Sequence, residues 1–250
     1  MAWQGGASWT RPDPCMDKAG IWSREAAVLA CYPDPRGCHD RLSTLESLGV
    51  ERVCLNGPLE VVPGVGALGK GHSSIVFAAI LRGSIVAVKS RRMDGRRPSL
   101  VGEARLLGEA GAAGVAPRLV AWSRDLIVME YLAGPSLGEV LGAGSSVWAL
   151  AEAVEAARIL DMAGILHHEL HRPWRNIYYT PTPSPKALVI DYESASRGCG
   201  NLAKIASALA HLGVIRVEGG VRRLLRLYKK NCVYDTILDV AGALLGVLEG

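Results

Sequence analysis

The chain has 250 residues, of which 49% are hydrophobic and 21% charged, a composition typical of a folded protein and unlike that of disordered segments. The formal net charge of +4 is only mildly basic and does not by itself indicate a nucleic-acid-binding protein. No apolar run is long enough to span a bilayer, and no secretory signal is evident, so we expect a protein without a membrane partner.

The six cysteines are scattered along the chain, with no C-x-x-C pair and no histidine at metal-ligand spacing. A zinc site is the alternative to free thiols, but it needs ligands at characteristic local spacings. The sequence therefore predicts free thiols and a cytoplasmic location.

Basic residues cluster at Arg91–Arg92, at Arg96–Arg97 and within 222–230. Such clusters are most often solvated faces, and we interpret them so. RNA or ribosome association through these patches stays open as an alternative.

The first 57 residues differ in character from the rest. Residues 1–37 are rich in Gly, Pro, Trp and Arg, with weak periodicity, and we expect a loosely held extension there. A short helix over 41–48 and a strand over 52–55 follow. Residues 1–57 are thus predicted to be an N-terminal extension with a small helix–strand element.

Residues 58–132 have the pattern of a β-rich domain. Strands are predicted over 59–68, 75–81, 84–89, 118–122 and 126–130. Arg82–Gly83 is a two-residue turn that suits a tight hairpin. One helix is expected from Ser99, a good N-cap, to Gly114. The segment is therefore predicted to form an antiparallel sheet with one helix.

Residues 133–250 have helical periodicity. A helix capped by Ser145 or Ser146 is predicted first, then short strands at 176–179 and 187–191, then two or three helices. A sheet-rich first half followed by a helix-rich second half predicts an α+β fold of two lobes with a cleft between them.

A glycine-rich segment joins two of the predicted strands and contains Gly69, Lys70, Gly71, Ser74 and Val76. Glycines in such a loop let backbone N–H groups approach phosphate oxygens without a Cβ in the way. A hairpin bend explains these glycines equally well, so the segment alone does not establish a nucleotide site.

Lys89 lies thirteen positions after Val76, at the end of a β-branched run. A lysine there is costly unless its ammonium finds an anionic partner or reaches water at a sheet edge. Glu103, fourteen residues further on in the predicted helix, can supply that partner, and Glu109 is its rival.

Asp191 follows three apolar residues at the end of a predicted strand. A carboxylate in that position should face the cleft, where a cation would stabilise it. Asn176 lies fifteen residues earlier, across the predicted hairpin, and can join Asp191 at such a site.

These segments resemble the protein-kinase superfamily over roughly residues 60–212. The glycine loop of that superfamily, G-x-G-x-x-G-x-V, has the spacing of Gly69, Gly71, Ser74 and Val76, with serine in place of the third glycine. The resemblance implies that Lys89 holds the α- and β-phosphates of ATP.

The resemblance assigns the other positions as well. Glu103 would orient the lysine, and Val76 and Ala87 would cover the adenine. Asn176 and Asp191 would bind Mg²⁺, with Mn²⁺ as the alternative metal.

The segment 127–134 resembles the kinase hinge. Met129 would guard the back pocket, and the backbone of Glu130 and Leu132 would bond the adenine edge. A buried strand and turn is the alternative interpretation of these residues.

The catalytic loop departs from the superfamily's H-R-D-L-x-x-x-N pattern. His171 lies five residues before Asn176, where the pattern has aspartate, and Glu169 lies seven before it. Because His168-Glu169-Leu170 resembles the H-G-D-L of atypical kinases, we assign Glu169 as the proton acceptor, with His171 as competitor. The three histidines of 167–171 suggest a metal site, but we prefer to place one of them under the loop.

The closest resemblance is to the reduced atypical kinases, such as the RIO family and the small predicted serine/threonine protein kinases of archaea. A new helix start at 201–204 leaves no room for a full activation segment. Residues 58–132 would form the N-terminal lobe and 133–250 a reduced C-terminal lobe.

The activity implied is transfer of the γ-phosphate of ATP to a serine or threonine hydroxyl of an unidentified acceptor protein, or ATP hydrolysis. The alternatives are a small-molecule kinase and a non-catalytic, ribosome- or RNA-associated scaffold that binds nucleotide.

Overall fold

The computed structural model describes residues 12–144 and 147–249. The chain divides into two compact units, which we call the sheet unit (residues 11–105 and 118–131) and the helical unit (residues 106–117 and 132–250). The fold is α+β, with antiparallel pairing throughout the main sheet.

The sheet unit contains nine strands among its described residues. They are β1 (Lys18–Gly20), β2 (Val50–Cys54), β3 (Leu59–Val62), β4 (Val65–Ala67), β5 (Gly69–Lys70), β6 (Ser74–Leu81), β7 (Ser84–Arg91), β8 (Leu119–Trp122) and β9 (Leu126–Glu130). The main sheet has the order β1-β2-β6-β7-β9-β8, with β5 also paired to β6, while β3 and β4 form a separate hairpin. Its helices are α1 (Arg24–Ala30), α2 (His39–Ser47) and the first residues of α3 (Val101–Ala112).

The β6–β7 hairpin is the centre of the sheet, and its predicted turn is confirmed. Arg82 and Gly83 both have positive φ, +49° and +73°, as a two-residue turn matched to the strand twist requires. Alternate residues of β6, such as Ile75 and Phe77, are fully buried in a core with α1 and α2. The other face of the hairpin carries Val76, which is partly exposed.

Residues 12–37 are not a loosely held extension, contrary to the expectation, whereas the helix and the strand predicted over 41–48 and 52–55 correspond to α2 and β2. β1 and β2 are strands of the main sheet, and Leu29 of α1 and Leu45 of α2 are fully buried in its core. The strand expected over 59–68 is a hairpin instead, because Gly64 turns the chain with φ +77°. Residues 1–11 of the predicted extension lie outside the described residues.

The six cysteines form three disulfides, so the prediction of free thiols is wrong. The pairs are Cys15–Cys54, Cys31–Cys38 and Cys199–Cys232, with Cα–Cα distances of 4.5, 5.9 and 6.3 Å. Their sequence separations of 39, 7 and 33 residues follow no local motif. Six cysteines allow fifteen connectivities, so spacing alone could not reveal the pairs.

The helical unit contains the helices α4 (Leu137–Gly142), α5 (Val147–Met162), α6 (Pro173–Asn176), α7 (Asn201–His211), α8 (Gly219–Lys230) and α9 (Tyr234–Glu249). Its strands are β10 (Ile165–Leu166), β11 (Ile177–Tyr179), β12 (Ala187–Val189) and β13 (Ser196–Arg197). The apolar stripe of α5 is buried and packs against α7 and α9. The predicted caps of α5, Ser145 and Ser146, lie outside the described residues. Among those described, no helix has the length and apolar character needed to cross a membrane.

Candidate functional site

The glycine-rich segment forms β5 and the turn into β6. Gly69 pairs with Val76 across the two strands, and the Gly71 amide donates to the Ser74 carbonyl at 2.8 Å. A Cβ added at Gly69 would meet nothing within 4 Å, and one at Gly71 would meet the Ser74 carbonyl only at 3.7 Å. The fold therefore does not require glycine at either position, which leaves close approach of a ligand as a reason for both.

The turn also holds two serines that are more buried than the sequence suggested. Ser74 is 4% exposed at the start of β6, so its hydroxyl is poorly placed for the phosphate contact suggested by the resemblance. Ser73 is 7% exposed, and its Oγ has no hydrogen-bond partner among the described residues. A buried hydroxyl of this kind needs a hydrogen-bond partner, which a water or a ligand oxygen can supply. Ser73 lies within the predicted glycine-rich segment, but sequence reasoning gave it no role of its own.

One face of the sheet collects the residues predicted to surround a nucleotide. The antiparallel register sets Val76 opposite Lys89, and Ala87 opposite Met129, and residues paired in this way lie on the same face. Lys89 and Ala87 share that face because they are two apart in β7. Leu68, which sequence reasoning missed, packs on the apolar cluster of this face.

The predicted ion pair between Lys89 and Glu103 is confirmed. Lys89 Nζ lies 2.6 Å from Glu103 Oε1, and the two side chains are only 6% and 3% exposed. The rival Glu109 pairs with Arg197 instead. A buried charge needs a partner of opposite sign, which explains why α3 turns Glu103 towards the strand that carries Lys89.

A second cation reaches the same carboxylate. Arg97 Nη1 lies 2.9 Å from Glu103 Oε2, with the arginine side chain 20% exposed. The expectation of a solvated face at Arg96–Arg97 is therefore wrong for Arg97, and the same holds for Arg91, which pairs with Asp125. Charge spacing alone could not distinguish these arginines from the exposed ones.

The end of β9 limits how the predicted hinge can work. The Glu130 amide donates to the Arg118 carbonyl at 2.9 Å, and the Glu130 carboxylate accepts from the Arg118 amide at 3.1 Å. Glu130 can therefore offer an adenine base its carbonyl oxygen but not its N–H. Leu132, the other predicted hinge residue, belongs to the helical unit and is partly buried.

In the helical unit, the β11–β12 hairpin brings the two predicted metal ligands to one end. Ile177 pairs with Val189, and beyond that pair the Ile190 amide donates to the Asn176 carbonyl at 2.9 Å. Asp191 is the next residue and adopts a left-handed conformation with φ +67°, an uncommon state outside glycine that is enriched at functional sites. The predicted placement across a hairpin is confirmed.

Among the described residues, no group of three or more His, Cys, Asp or Glu side chains is arranged to hold a metal. A site made by Asn176 and Asp191 would thus have two protein ligands and would rely on water and phosphate oxygens for the rest. Mg²⁺ is bound in this way, with few carboxylates and several waters.

The segment after β10 forms a 3-10 helix, His168–His171, which contains both candidate proton acceptors, Glu169 and His171. The Glu169 carbonyl accepts from Asn176 Nδ2 at 3.1 Å. The Glu169 side chain is partly exposed and makes no hydrogen bond or ion pair within the described part of the chain. His171 Nδ1 donates to the His168 carbonyl at 3.0 Å, which leaves Nε2 as the acceptor nitrogen of that ring.

One histidine lies under this loop, as expected. His167 is fully buried, and its Nε2–H donates to the Ile190 carbonyl at 3.0 Å. Its ring meets the Tyr192 ring edge-on at 5.3 Å. Burial lowers the pKa of His167, opposed by the contact with Ile190 and by nearby carboxylates, so burial favours the neutral form of the imidazole.

A buried polar network that sequence reasoning missed holds the same loop. Asn201 at the start of α7 accepts from the His167 amide at 2.9 Å and donates to the Ile165 carbonyl at 2.6 Å. Asp161 in turn accepts from the Asn201 amide at 3.0 Å and from Asn201 Nδ2 at 2.8 Å. The one available signal was a carboxylate, Asp161, directly after the apolar stripe of α5.

No protein-family model matches the chain, and no curated protein matches it either.

Proposed function

We propose that this chain is an atypical protein kinase, with a protein-kinase-like two-lobed fold, which transfers the γ-phosphate of ATP to a serine or threonine hydroxyl. The observation that carries the proposal is the buried Lys89–Glu103 ion pair on the sheet face shared with Val76, Ala87 and Met129. A buried ion pair often adds little net stability to a fold. A role in ligand binding therefore explains the buried Lys89 better than a role in stability does.

The residues of the sheet unit fit a nucleotide. Small and apolar side chains at Val76 and Ala87 leave room for a flat base on the sheet face, and the Glu130 carbonyl offers an acceptor for its amino group. The open glycines and the orphaned Ser73 hydroxyl fit phosphate oxygens. Lys89, held by Glu103, supplies a positive charge for the α- and β-phosphates.

The residues of the helical unit fit the metal and the acceptor. Asn176 and Asp191 lie at one end of the β11–β12 hairpin and would hold Mg²⁺ or Mn²⁺, which neutralises the developing phosphate charge. Asn176 Nδ2 is used by the Glu169 carbonyl, so the Oδ1 atom of Asn176 is the atom that faces a metal in this assignment.

Glu169 takes the role of proton acceptor. A carboxylate without a fixed hydrogen-bond partner is able to accept a hydrogen bond from an approaching hydroxyl and orient it. Asn176 Nδ2 and the Arg172 amide both donate to the Glu169 carbonyl, at 3.1 and 2.9 Å. These bonds fix the backbone from which the Glu169 carboxylate extends. The loop is two residues longer than the kinase pattern, but its backbone is held in place.

The cytoplasmic location stays a prediction and loses the support that free thiols gave it. Disulfides are rare in reducing compartments, with the intracellular proteins of hyperthermophiles as the exception. Three disulfides in a cytoplasmic kinase would therefore place it in such an organism.

The test is incubation with radiolabelled ATP and Mg²⁺, with and without serine- and threonine-containing acceptor proteins. Wild-type protein should transfer label to protein or release labelled phosphate, and Asp191→Ala should do neither. Asp235→Ala, which removes an exposed carboxylate of α9, is the matched control and should behave as wild type. Equal turnover by Asp191→Ala and wild type would remove Asp191 from the site and contradict the proposal.

A further inference from the structure

Helix α8 carries a basic face made of Arg222, Arg223, Arg226, Lys229 and Lys230. At about 100° per residue these positions fall within a stripe roughly 120° wide. All five side chains are exposed. The stripe is therefore a continuous positive surface along two turns of helix.

The charges of this basic face are not neutralised by the protein. The helix contains no acidic residue, and Arg223, Arg226, Lys229 and Lys230 make no ion pair within the described part of the chain. Arg222 donates through Nε to the Val217 carbonyl at 3.2 Å, which leaves its charge unpaired. The helix dipole favours the two lysines at the C-terminal end, but it does not favour Arg222 and Arg223 near the N-terminal end.

The opposite side of α8 is fixed to the helical unit. Leu225 and Tyr228 are 9% and 1% exposed, α8 packs against α9, and the Tyr228 hydroxyl donates to Asp161. Since Leu225 and Tyr228 are already buried and Leu227 is the one exposed apolar side chain of α8, the helix offers little apolar surface with which to enter a bilayer. The helix is thus anchored by its buried side, and its basic face is presented to solvent.

We propose that the basic face of α8 binds the phosphate backbone of nucleic acid. From Arg222 to Lys229 the helix rises by about 10 Å, at 1.5 Å per residue. Along the axis of a duplex, one strand carries a phosphate about every 3.4 Å, so this length corresponds to about three phosphates. Arginine and lysine contacts with phosphate carry no sequence information, so the binding is independent of sequence. The inference does not depend on the proposed phosphoryl transfer.

A nucleic acid fits this face better than an acidic protein does. Protein interfaces are centred on buried apolar or aromatic anchors, whereas interfaces with nucleic acid are polar and strongly positive. Of the apolar side chains of α8, Leu227 is the exposed one, at 47%, and it lies beside the stripe rather than within it. The face offers charge without an apolar centre.

The test is fluorescence anisotropy of the full chain with a labelled 20-nucleotide RNA of mixed sequence, over a range of KCl concentrations. The variant is Arg223→Gln, Arg226→Gln and Lys230→Gln together. The control is Lys18→Gln, Arg52→Gln and Arg105→Gln, which removes the same charge from exposed residues of the sheet unit. Because all six side chains are exposed, both variants should melt within a degree or two of wild type.

We expect wild-type binding that weakens with salt and is unchanged for an unrelated RNA sequence. The α8 variant should bind at least about tenfold more weakly at low salt, with the slope of log K against log[KCl] shallower by about two, since each phosphate contact contributes about 0.7 to that slope. The control should retain affinity and slope. An equal loss of RNA affinity in both variants would show that only the net charge of the protein matters, and it would overturn the inference. Tighter binding to phosphatidylserine vesicles or to polyglutamate than to RNA would overturn it as well.

Discussion

Asp161 shows how a single buried carboxylate can organise the helical unit. It is 4% exposed and accepts five hydrogen bonds, from the amides of Gly200, Asn201 and Leu202, from Asn201 Nδ2 and from the Tyr228 hydroxyl. Three of these donors are amides at the N-terminus of α7, where a negative charge is favoured. The carboxylate thus links α5, α7 and α8.

Asp161→Ala should therefore lower the free energy of unfolding by about 3 kcal/mol, because several buried donors lose their acceptor at once. The measurement is urea unfolding followed by circular dichroism. Asp235→Ala, at an exposed position of α9, should change it by less than about 0.5 kcal/mol. Similar small losses in both variants would show that the network does not hold the unit together.

Glu169 is the residue on which the catalytic assignment depends most. Glu169→Gln should leave ATP affinity unchanged, because this side chain is assigned to the acceptor hydroxyl and not to the phosphates. Turnover should fall by about 10²–10⁴-fold, the usual contribution of a positioned general base. His171→Ala should have a much smaller effect, since the role of proton acceptor is assigned to Glu169. The reverse ranking in a steady-state assay would move the role to His171.

Charged residues next to apolar runs were the most informative feature of the sequence. The cost of burying a lysine led to the Lys89–Glu103 pair, which the structure contains. The same argument applied to Asp161 would have predicted a buried network, but its partners Asn201 and Tyr228 are 40 and 67 residues away. Sequence alone can thus indicate that a partner exists, and it identifies that partner only when a spacing or a motif restricts the choice.

At the scale of elements, a cluster of charges fastens α2 to the sheet. Asp125, in the turn between β8 and β9, pairs with Arg91 of β7 and with Arg41 of α2. The Arg41 side chain is 8% exposed, so burial lowers its pKa, opposed by the charge of Asp125. Burial alone would raise the pKa of the Asp125 carboxyl, but the hydrogen bond from Arg91 and the charges of both arginines lower it below its usual value of 3.8.

This cluster predicts a pH dependence with a definite sign. Since the pKa of Asp125 is lower in the folded state, its contribution to stability is present above pH 3.8 and is lost as the pH falls through the folded value. In urea unfolding measured stepwise between pH 5 and about pH 2, wild type should lose stability more steeply below pH 3.8 than Asp125→Asn does. Parallel curves for the two proteins would show that the carboxylate is not stabilised by its arginines.

The elements themselves were predictable where local chemistry decides them. Arg82–Gly83 identified the β6–β7 hairpin, and Ser99, the predicted N-cap, lies two residues before Val101, where α3 begins. Of the N-terminal elements, α2 and β2 were predicted, and α1 and β1 were missed because α1 is seven residues long and β1 only three. Elements that short are stabilised by packing against the sheet and by disulfides, and neither can be derived from local periodicity.

At the scale of the whole molecule, the disulfides are the largest departure from expectation. Each of the pairs Cys15–Cys54 and Cys199–Cys232 closes a loop of more than 30 residues, which restricts the unfolded chain and stabilises the fold by about 4 kcal/mol per bond in the loop-entropy treatment. Dithiothreitol should therefore lower the melting temperature markedly.

The direct check is alkylation under denaturing conditions followed by mass spectrometry. Without reductant none of the six cysteines should be labelled, and after reduction all six should be. Labelling of all six cysteines before reduction would show that they are free thiols, as the sequence suggested.

The central claim is that ATP binds the sheet unit through Lys89 oriented by Glu103. Its most direct test is the change in melting temperature on addition of ATP and Mg²⁺, because a ligand that binds only the folded state raises it by mass action. Wild type should gain about 5 °C at saturating nucleotide. The double variant Lys89→Met and Glu103→Gln, which removes both charges of the pair, should gain almost none, while Lys18→Met at an exposed lysine of β1 should gain as much as wild type. A full shift in the double variant would contradict the account.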